Sequence, residues 1–506
     1  MTITAYGTGA YRAARPNEFV STRAQFDDLQ RQLSTKERAV SYGDLGIDRR
    51  VSLDLNGKIA QIDSWLGGIA LSDVNLKLAS QGVENFSKLV SETRGNTLAT
   101  NGYVESASGR SPSQLLAEES FKQTLDMLNT SVNGRYLFSG RTSDVKPVAS
   151  FDEIMNGDGA GKAGLKDLIT ERQEADLGTG GLGRLTTDSP GPTTVTVADE
   201  PYDYGFKLAG ATSSTAALAV TYNSGTPADI AVDVTAQPQP GDTLRLKLTL
   251  PDGTQEEITL TARAAGTGAS DADGFEIGAT PADTATALKT ALEKAIERET
   301  KTSLPAASAQ RAAEDFFAGS LNDPPKRVPG PNFASATAPP DNAGSAATTV
   351  IWYRGDDGTD SARGTASVQI GQGQIVGTGA RANEEAFRTG LAQFAIMAAA
   401  TFQPGDETSQ AAYKAMASRV SDQLGYAGTG QKPMEIITEF GSAQAALASA
   451  KARHQDTKSY LATTLSGVEN VTTEEVAAQI LTLQTQLQAS YQVTSMLSKL
   501  SLTNYL

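Results

Sequence analysis

Cysteine is absent from this 506-residue chain, and histidine occurs once, at His454. Without a thiol there is no disulfide, no thiolate metal site and no cysteine nucleophile. With one imidazole there is no multi-histidine zinc cluster, and the usual general base near neutral pH has a single candidate. Aromatic residues make up 6% of the chain and hydrophobic residues 39%, against 48 glycines and 20 prolines. Apolar content that low argues against one large core. Positive charge is also short: 43 Lys+Arg face 58 Asp+Glu, a net charge of −15. With no basic run to offset it, the chain repels a phosphate backbone, which excludes nucleic acid as a partner class. No stretch approaches the ~20 apolar residues of a membrane-spanning helix. The segment from Met1 to Tyr11 has no basic stretch leading into an apolar run, so export would proceed without a cleaved signal peptide.

What is present falls into three zones. Residues 1 to about 150 and about 382 to 506 have helical patterning, and the region between is rich in Gly, Ala, Thr and Pro with strand-like alternation. The first helix is expected after Pro16, with Phe19, Phe26, Leu29, Leu33 and Val40 at heptad spacing and Gly43 and Gly46 ending it. A second, longer stripe runs through Leu55, Ile59, Ile62, Leu66, Ile69, Leu76, Val83 and Val90, interrupted by Asp73, Ser80 and Ser87. Ser111, Pro112 and Gln114 form a capping box with Pro at the first helical position. That third helix carries Phe121, Leu125, Leu128 and Val132 and stops at Asn133-Gly134. The last helix opens on Thr472 and Glu475, another capping box, and places Val476, Ile480, Leu483, Leu487 and Leu497 on one seam. Further helices are expected near 383–402, 406–425, 434–465 and 281–300. In the middle, Leu244, Leu246, Leu248 and Leu250 alternate up to Pro251-Asp252-Gly253, and Ile258, Leu260 and Ala262 alternate after it, which spells a hairpin. Strands are also expected near 193–199, 229–235, 349–354 and 365–376.

Four motifs suggest chemistry, and each has a plainer reading. Gly178-Thr179-Gly180-Gly181-Leu182-Gly183 fits G-x-G-x-x-G, but a dinucleotide site needs a strand before it and a helix after it. Here a charged helical stretch precedes the glycines, so a loop is expected. Arg354-Gly355-Asp356 is a cell-attachment tripeptide and equally an ordinary turn. Asp271-Ala272-Asp273-Gly274 resembles part of a calcium loop without its terminal Glu. His454 lies in a charged helical stretch and reads as a solvated surface residue. No catalytic, cofactor-binding or metal-binding residue is expected.

Three segments carry a resemblance. Leu29 to Thr35, continuing through Tyr42-Gly43-Asp44-Leu45-Gly46-Ile47-Asp48-Arg49, is one. Asn133-Gly134-Arg135-Tyr136-Leu137-Phe138-Ser139-Gly140 is the second, and Leu483 to Leu506, ending Ser501-Leu502-Thr503-Asn504-Tyr505-Leu506, is the third. Together they resemble bacterial flagellins and, most closely in the octapeptide and the ending, the hook–filament junction protein, hook-associated protein 3. Ser34-Thr35-Lys36-Glu37-Arg38 departs from the Ser-x-Gly-x-Arg run of many members, and the ending lacks the Gln-Ala-Asn of most filament subunits.

The resemblance implies an elongated α+β molecule. Residues 1–42 and 466–506 would pair as an antiparallel coiled coil, with 43–150 and 382–465 as a helical bundle. Residues 151–381 would form an inserted β-rich variable domain, either one domain or two. It implies a structural role at the hook–filament junction, with the filament flagellin as the alternative and a secreted coiled-coil adhesin as a more distant one. The partners implied are further copies, hook protein, other hook-associated proteins and flagellin, with an export chaperone, outside the cell and without a cofactor. Assembly would run through Phe19, Phe26, Leu29, Leu33, Val476, Ile480, Leu483, Leu487 and Leu497. Termini interrupted by Ser, Thr and Asp are expected to order only when packed against neighbours.

Overall fold

The computed structural model describes residues 8–99, 110–267, 270–403, 405–428 and 430–499, with side chains from residue 20 to residue 496. The fold is α+β, with long helices toward both ends and the sheets between them. Two compact units are present. One gathers residues 1–71, 369–375 and 445–506; the other gathers 72–368 and 376–444.

Helix α1 (Thr8–Thr35) starts earlier than expected and runs through Pro16. The residues before the proline, Ala10-Tyr11-Arg12-Ala13-Ala14-Arg15, are mostly strong helix formers, and they outweigh one missing N–H. The helix also ends sooner, at Thr35, because Lys36 turns left-handed (φ +63°) before either glycine is reached. Val40 therefore lies outside the helix and is exposed. Helix α2 (Arg49–Leu98) follows the anticipated stripe: Leu55, Ile62, Ile69, Leu76, Val83 and Val90, each seven residues after the last, are all buried.

Helix α3 (Pro112–Leu128) begins with the predicted box, Ser111 accepting from the Gln114 N–H and Gln114 from the Ser111 N–H. It stops at Leu128, so Val132 sits not on its stripe but in a two-residue hairpin, β1 (Ser131–Val132) and β2 (Arg135–Tyr136). Asn133 (φ +52°) and Gly134 (φ +76°) form its turn, the left-handed pair that suits a tight hairpin. Phe138 then buries its ring edge-on against Phe387, 5.7 Å between centroids.

Short α4 (Phe151–Asn156) and α5 (Leu165–Leu177) lead into two four-stranded sheets. The first comprises β3 (Leu185–Asp188), β4 (Thr194–Asp199), β6 (Leu218–Asn223) and β7 (Asp229–Val234), in the order β3-β4-β7-β6, all antiparallel. The second contains β5 (Lys207–Ser213), β8 (Thr243–Thr249), β9 (Gln255–Arg263) and β10 (Gly274–Glu276), in the order β10-β9-β8-β5 with only β9 and β10 parallel. The predicted hairpin is β8–β9, with Leu244 opposite Leu260 and Leu246 opposite Ile258. Its leucines share a core with Val195, Val197, Ile230 and Val232 and with Leu288, Leu292 and Ile296 of α6 (Pro281–Lys301). Each such side chain fully buried stabilises by roughly 1.5–3 kcal/mol before the entropy of ordering it.

Helix α7 (Ser303–Ala318), short α8 (Ser345–Thr348), α9 (Glu385–Ala399) and α10 (Glu407–Leu424) complete the larger unit. Residues 349–354 are no strand. Thr349 and Tyr353 make isolated bridges to Ala163 and Val148, and Val350 to Tyr353 are all buried. A run buried on every side reads as a strand in sequence, but here loops satisfy its backbone. The expected strand at 365–376 is a hairpin, β11 (Ser367–Gly371) and β12 (Gln374–Gly377). Helices α11 (Pro433–Glu469) and α12 (Thr473–Lys499) end the described chain.

Candidate assembly surface

The connection from α1 to α2 meets the connection from α11 to α12. The Arg38 N–H donates to the Glu469 carbonyl (2.7 Å) and the Val471 N–H to the Lys36 carbonyl (3.0 Å), forming a bridge between Glu37 and Asn470. Side chains reinforce it. The Asn56 amide (3.2 Å) and the Ser52 hydroxyl donate to the Glu469 carboxylate. The Arg31 guanidinium pairs with Asp28 (2.8 Å) and reaches the Glu37 and Arg38 carbonyls (both 3.3 Å) past the helix end, and the Gln32 amide also donates to the Arg38 carbonyl (3.2 Å). The Thr472 hydroxyl accepts from the Glu475 N–H (3.2 Å) and starts α12. Helices α1 and α12 leave this point in contact with each other.

Of the nine residues expected at the assembly interface, Val476 and Leu483 are buried within the chain itself. Phe26, Leu29, Ile480 and Leu487 are half-buried, and Leu33 is exposed. The side chains of Phe19 and Leu497 lie outside the described residues. The seam is thus partly occupied within one molecule. A second set of apolar side chains stands in solvent in the same unit: Val20, Ile47, Leu53, Tyr460, Leu481 and Met496, with Ile47 93% exposed. Sequence reasoning missed these because it followed the seam. Their signal is an apolar residue one step off the stripe, such as Leu481 beside Ile480, where an isolated helix would place a polar one.

The chemical motifs resolve into structure. Gly178 caps the end of α5 and the glycine run leads into β3, so the strand-before, helix-after context of a dinucleotide loop is missing. Arg354 pairs with Glu153 (3.2 Å) and Asp356 with Arg381 (3.0 Å), which ties both charged ends of the attachment tripeptide into the fold. Asp271 accepts from the N–H groups of Asp273 and Gly274 and pairs with Arg263 (2.7 Å), an ordinary Asx turn. Among the described residues no group of three or more His, Cys, Asp or Glu is placed to hold a metal.

His454 is not solvated as expected. It is half-buried on α11, its ring 5.0 Å from that of Trp65 and its Nε2 2.7 Å from the Ile370 carbonyl at the end of β11. It fastens the β11–β12 tip to α2 and α11, and the ring is spent on packing.

No protein-family model and no curated protein matches the sequence. The described residues bring the α1–α2 and α11–α12 connections together, and α1 and α12 carry exposed apolar side chains beside them.

Proposed function

We propose that this chain is an axial structural protein of the bacterial flagellum, of the flagellin and hook–filament junction family, acting where hook meets filament. The observation that carries the reading is the hydrogen-bonded meeting of the two terminal connections at Glu37 and Asn470, beyond which α1 and α12 carry apolar residues in solvent. The likeness of the Asn133–Gly140 segment to the junction protein supports it. In this reading α1 and α12 form an antiparallel coiled coil. Their outward residues pack against further copies, hook protein, other hook-associated proteins and flagellin. An export chaperone covers the same residues before passage out of the cell. The function is mechanical, without a reaction step.

Immunogold electron microscopy of native cells tests the proposal. Gold confined to a band at the hook–filament boundary is the expected result. Gold along the whole filament makes the chain a filament subunit, and gold on no flagellum overturns the assignment. Amide exchange adds a check at the level of the fold. In the free monomer α1 and α12 should exchange within the dead time of manual mixing while α9, buried on most sides, stays protected. Equal protection of all three sinks the idea that the terminal helices order on assembly.

A further inference from the structure

A cleft of about 450 Å³ lies in the larger unit, between α5, the start of α7, the end of α9 and the start of α10. Its floor is apolar: Ile169, Ala309, Ile396, Phe402 and Met416. The space exists because small side chains line the wall, Ala306, Ala309, Ala399 and Ala412 among them, where longer ones would fill it. Its mouth is polar, with Lys166, Lys301, Thr170, Thr408 and Ser409, and Thr302 is buried in the wall. The size lies within the ~300–1,000 Å³ of small-molecule sites, and so does the pattern of apolar floor and few polar groups.

Charge identifies the occupant. The chain is net −15, yet this cleft is lined by two lysines and by no Asp or Glu. Neither lysine is neutralised. Lys166 Nζ donates to the neutral Asn156 amide oxygen (2.9 Å), and Lys301 has no ion-pair partner among the described residues. Asp406, the N-cap of α10, turns both oxygens onto its own helix, accepting from the Thr408 (3.3 Å) and Ser409 (2.9 Å) N–H groups, and Glu407 after it does not line the cleft. Elsewhere in this unit the cations Arg172, Arg327, Arg363, Arg381 and Arg419 each meet a carboxylate. Two ammonium groups without a carboxylate partner above an apolar floor suit one negative head group on an apolar tail, while the Thr170, Thr302 and Ser409 hydroxyls donate to the Lys166 carbonyl, the Arg298 carbonyl and Asp406.

We propose that this cleft binds an amphipathic monocarboxylate, its head held by Lys166 and Lys301 and its unbranched tail laid along Ile169, Ile396 and Met416. Methionine adapts to a flexible tail better than a branched side chain does. The site is independent of the terminal helices and of the role proposed for them.

Calorimetric titration of the full chain with decanoate below its micellar concentration tests this. One saturable site is expected, with affinity falling about fourfold for each methylene removed on going to octanoate and hexanoate. Lys301→Gln, a change on the surface, should weaken decanoate roughly threefold to fivefold without moving the unfolding midpoint. Ala412→Leu should abolish binding in a chain that still unfolds cooperatively. Decylammonium, with the same tail and the opposite charge, should not bind. No saturable heat with decanoate overturns the proposal. So does equal binding of decylammonium, or decanoate binding that survives in folded Ala412→Leu protein.

Discussion

Gly140 closes the Asn133–Gly140 segment in a backbone conformation that side chains resist. Its φ is +65°, and a Cβ there would stand 2.8 Å from the Cβ of Asp356. Gly134 shares the left-handed conformation (φ +76°) but faces open space. Alanine at 134 should therefore cost only the backbone penalty, about 1 kcal/mol. Alanine at 140 should cost about 2–3 kcal/mol, because it also pushes Asp356 off Arg381. Urea unfolding of the two variants separates these costs, and equal losses would refute the contact. Glu314 offers a second test at this scale. Burial in α7 pushes its carboxyl above the usual glutamate range, partly offset by the Gln310 amide and Arg311. A raised carboxyl binds protons better folded than unfolded, so its contribution is present at acid pH and is lost as pH rises from the ordinary to the raised value. Glu314→Gln keeps the acceptor for Gln310 and removes the titration. Its stability relative to the parent should rise as pH climbs above the ordinary glutamate range; a difference that stays constant with pH would show that burial does not hold the proton on this carboxyl.

At the scale of the element, legibility followed how much polar surface a segment keeps. Helix α2 keeps a solvent face along its length, so its heptad stripe stood out in the sequence, and every residue of the Leu55–Val90 series at seven-residue spacing is buried. The β8–β9 hairpin was readable because Leu244, Leu246 and Leu248 alternate with Arg245, Lys247 and Thr249. Helix α7 was not. Ala306, Ala307, Ala309, Ala312, Ala313, Phe316 and Phe317 leave it buried almost all round, and a helix without a polar face gives no periodicity to find. The same loss of contrast made 349–354 look like a strand. As for the candidate surface, the seam residues could be read from heptads, whereas the outward apolar ones could not, since nothing in spacing says what a helix meets outside its own chain. Contact between α2 and α9 could not be read either, because it rests on one glycine. Gly390 leaves room for Phe86, whose ring meets Phe387 at 5.1 Å and Phe394 at 6.4 Å, and a Cβ at 390 would lie 2.5 Å from that ring. Phe86→Ala should cost about 3–5 kcal/mol, and Gly390→Ala about 1–3 kcal/mol from overpacking. Combining them should recover part of the second loss, because the small residue at 86 makes room for the new methyl group. Strict additivity in chemical denaturation would argue that the two positions do not touch.

For the whole molecule, the distribution of apolar residues separates folding from assembly. The larger unit buries its aromatic side chains, Trp352, Phe317, Phe121 and Phe387 among them, whereas α12 leaves Leu481 64% and Met496 62% exposed. Side chains so exposed contribute little to the stability of one copy, and substituting them changes it by no more than about 0.5 kcal/mol. If they are buried against neighbouring subunits, an aspartate at either place is an unpaired charge at a contact repeated in every subunit, and each costs several kcal/mol. The double variant Leu481→Asp/Met496→Asp should therefore unfold like the parent in urea. Cells producing it should secrete it into the medium without building flagella that reach past the hook. Leu76→Ala supplies the contrast. That side chain is buried in α2, outside the terminal helices, so its loss should lower monomer stability by about 2 kcal/mol or more. Normal flagella and normal swimming in cells with the double aspartate variant would mean that the outward face of α12 meets nothing, and the axial reading would lose the surface it depends on.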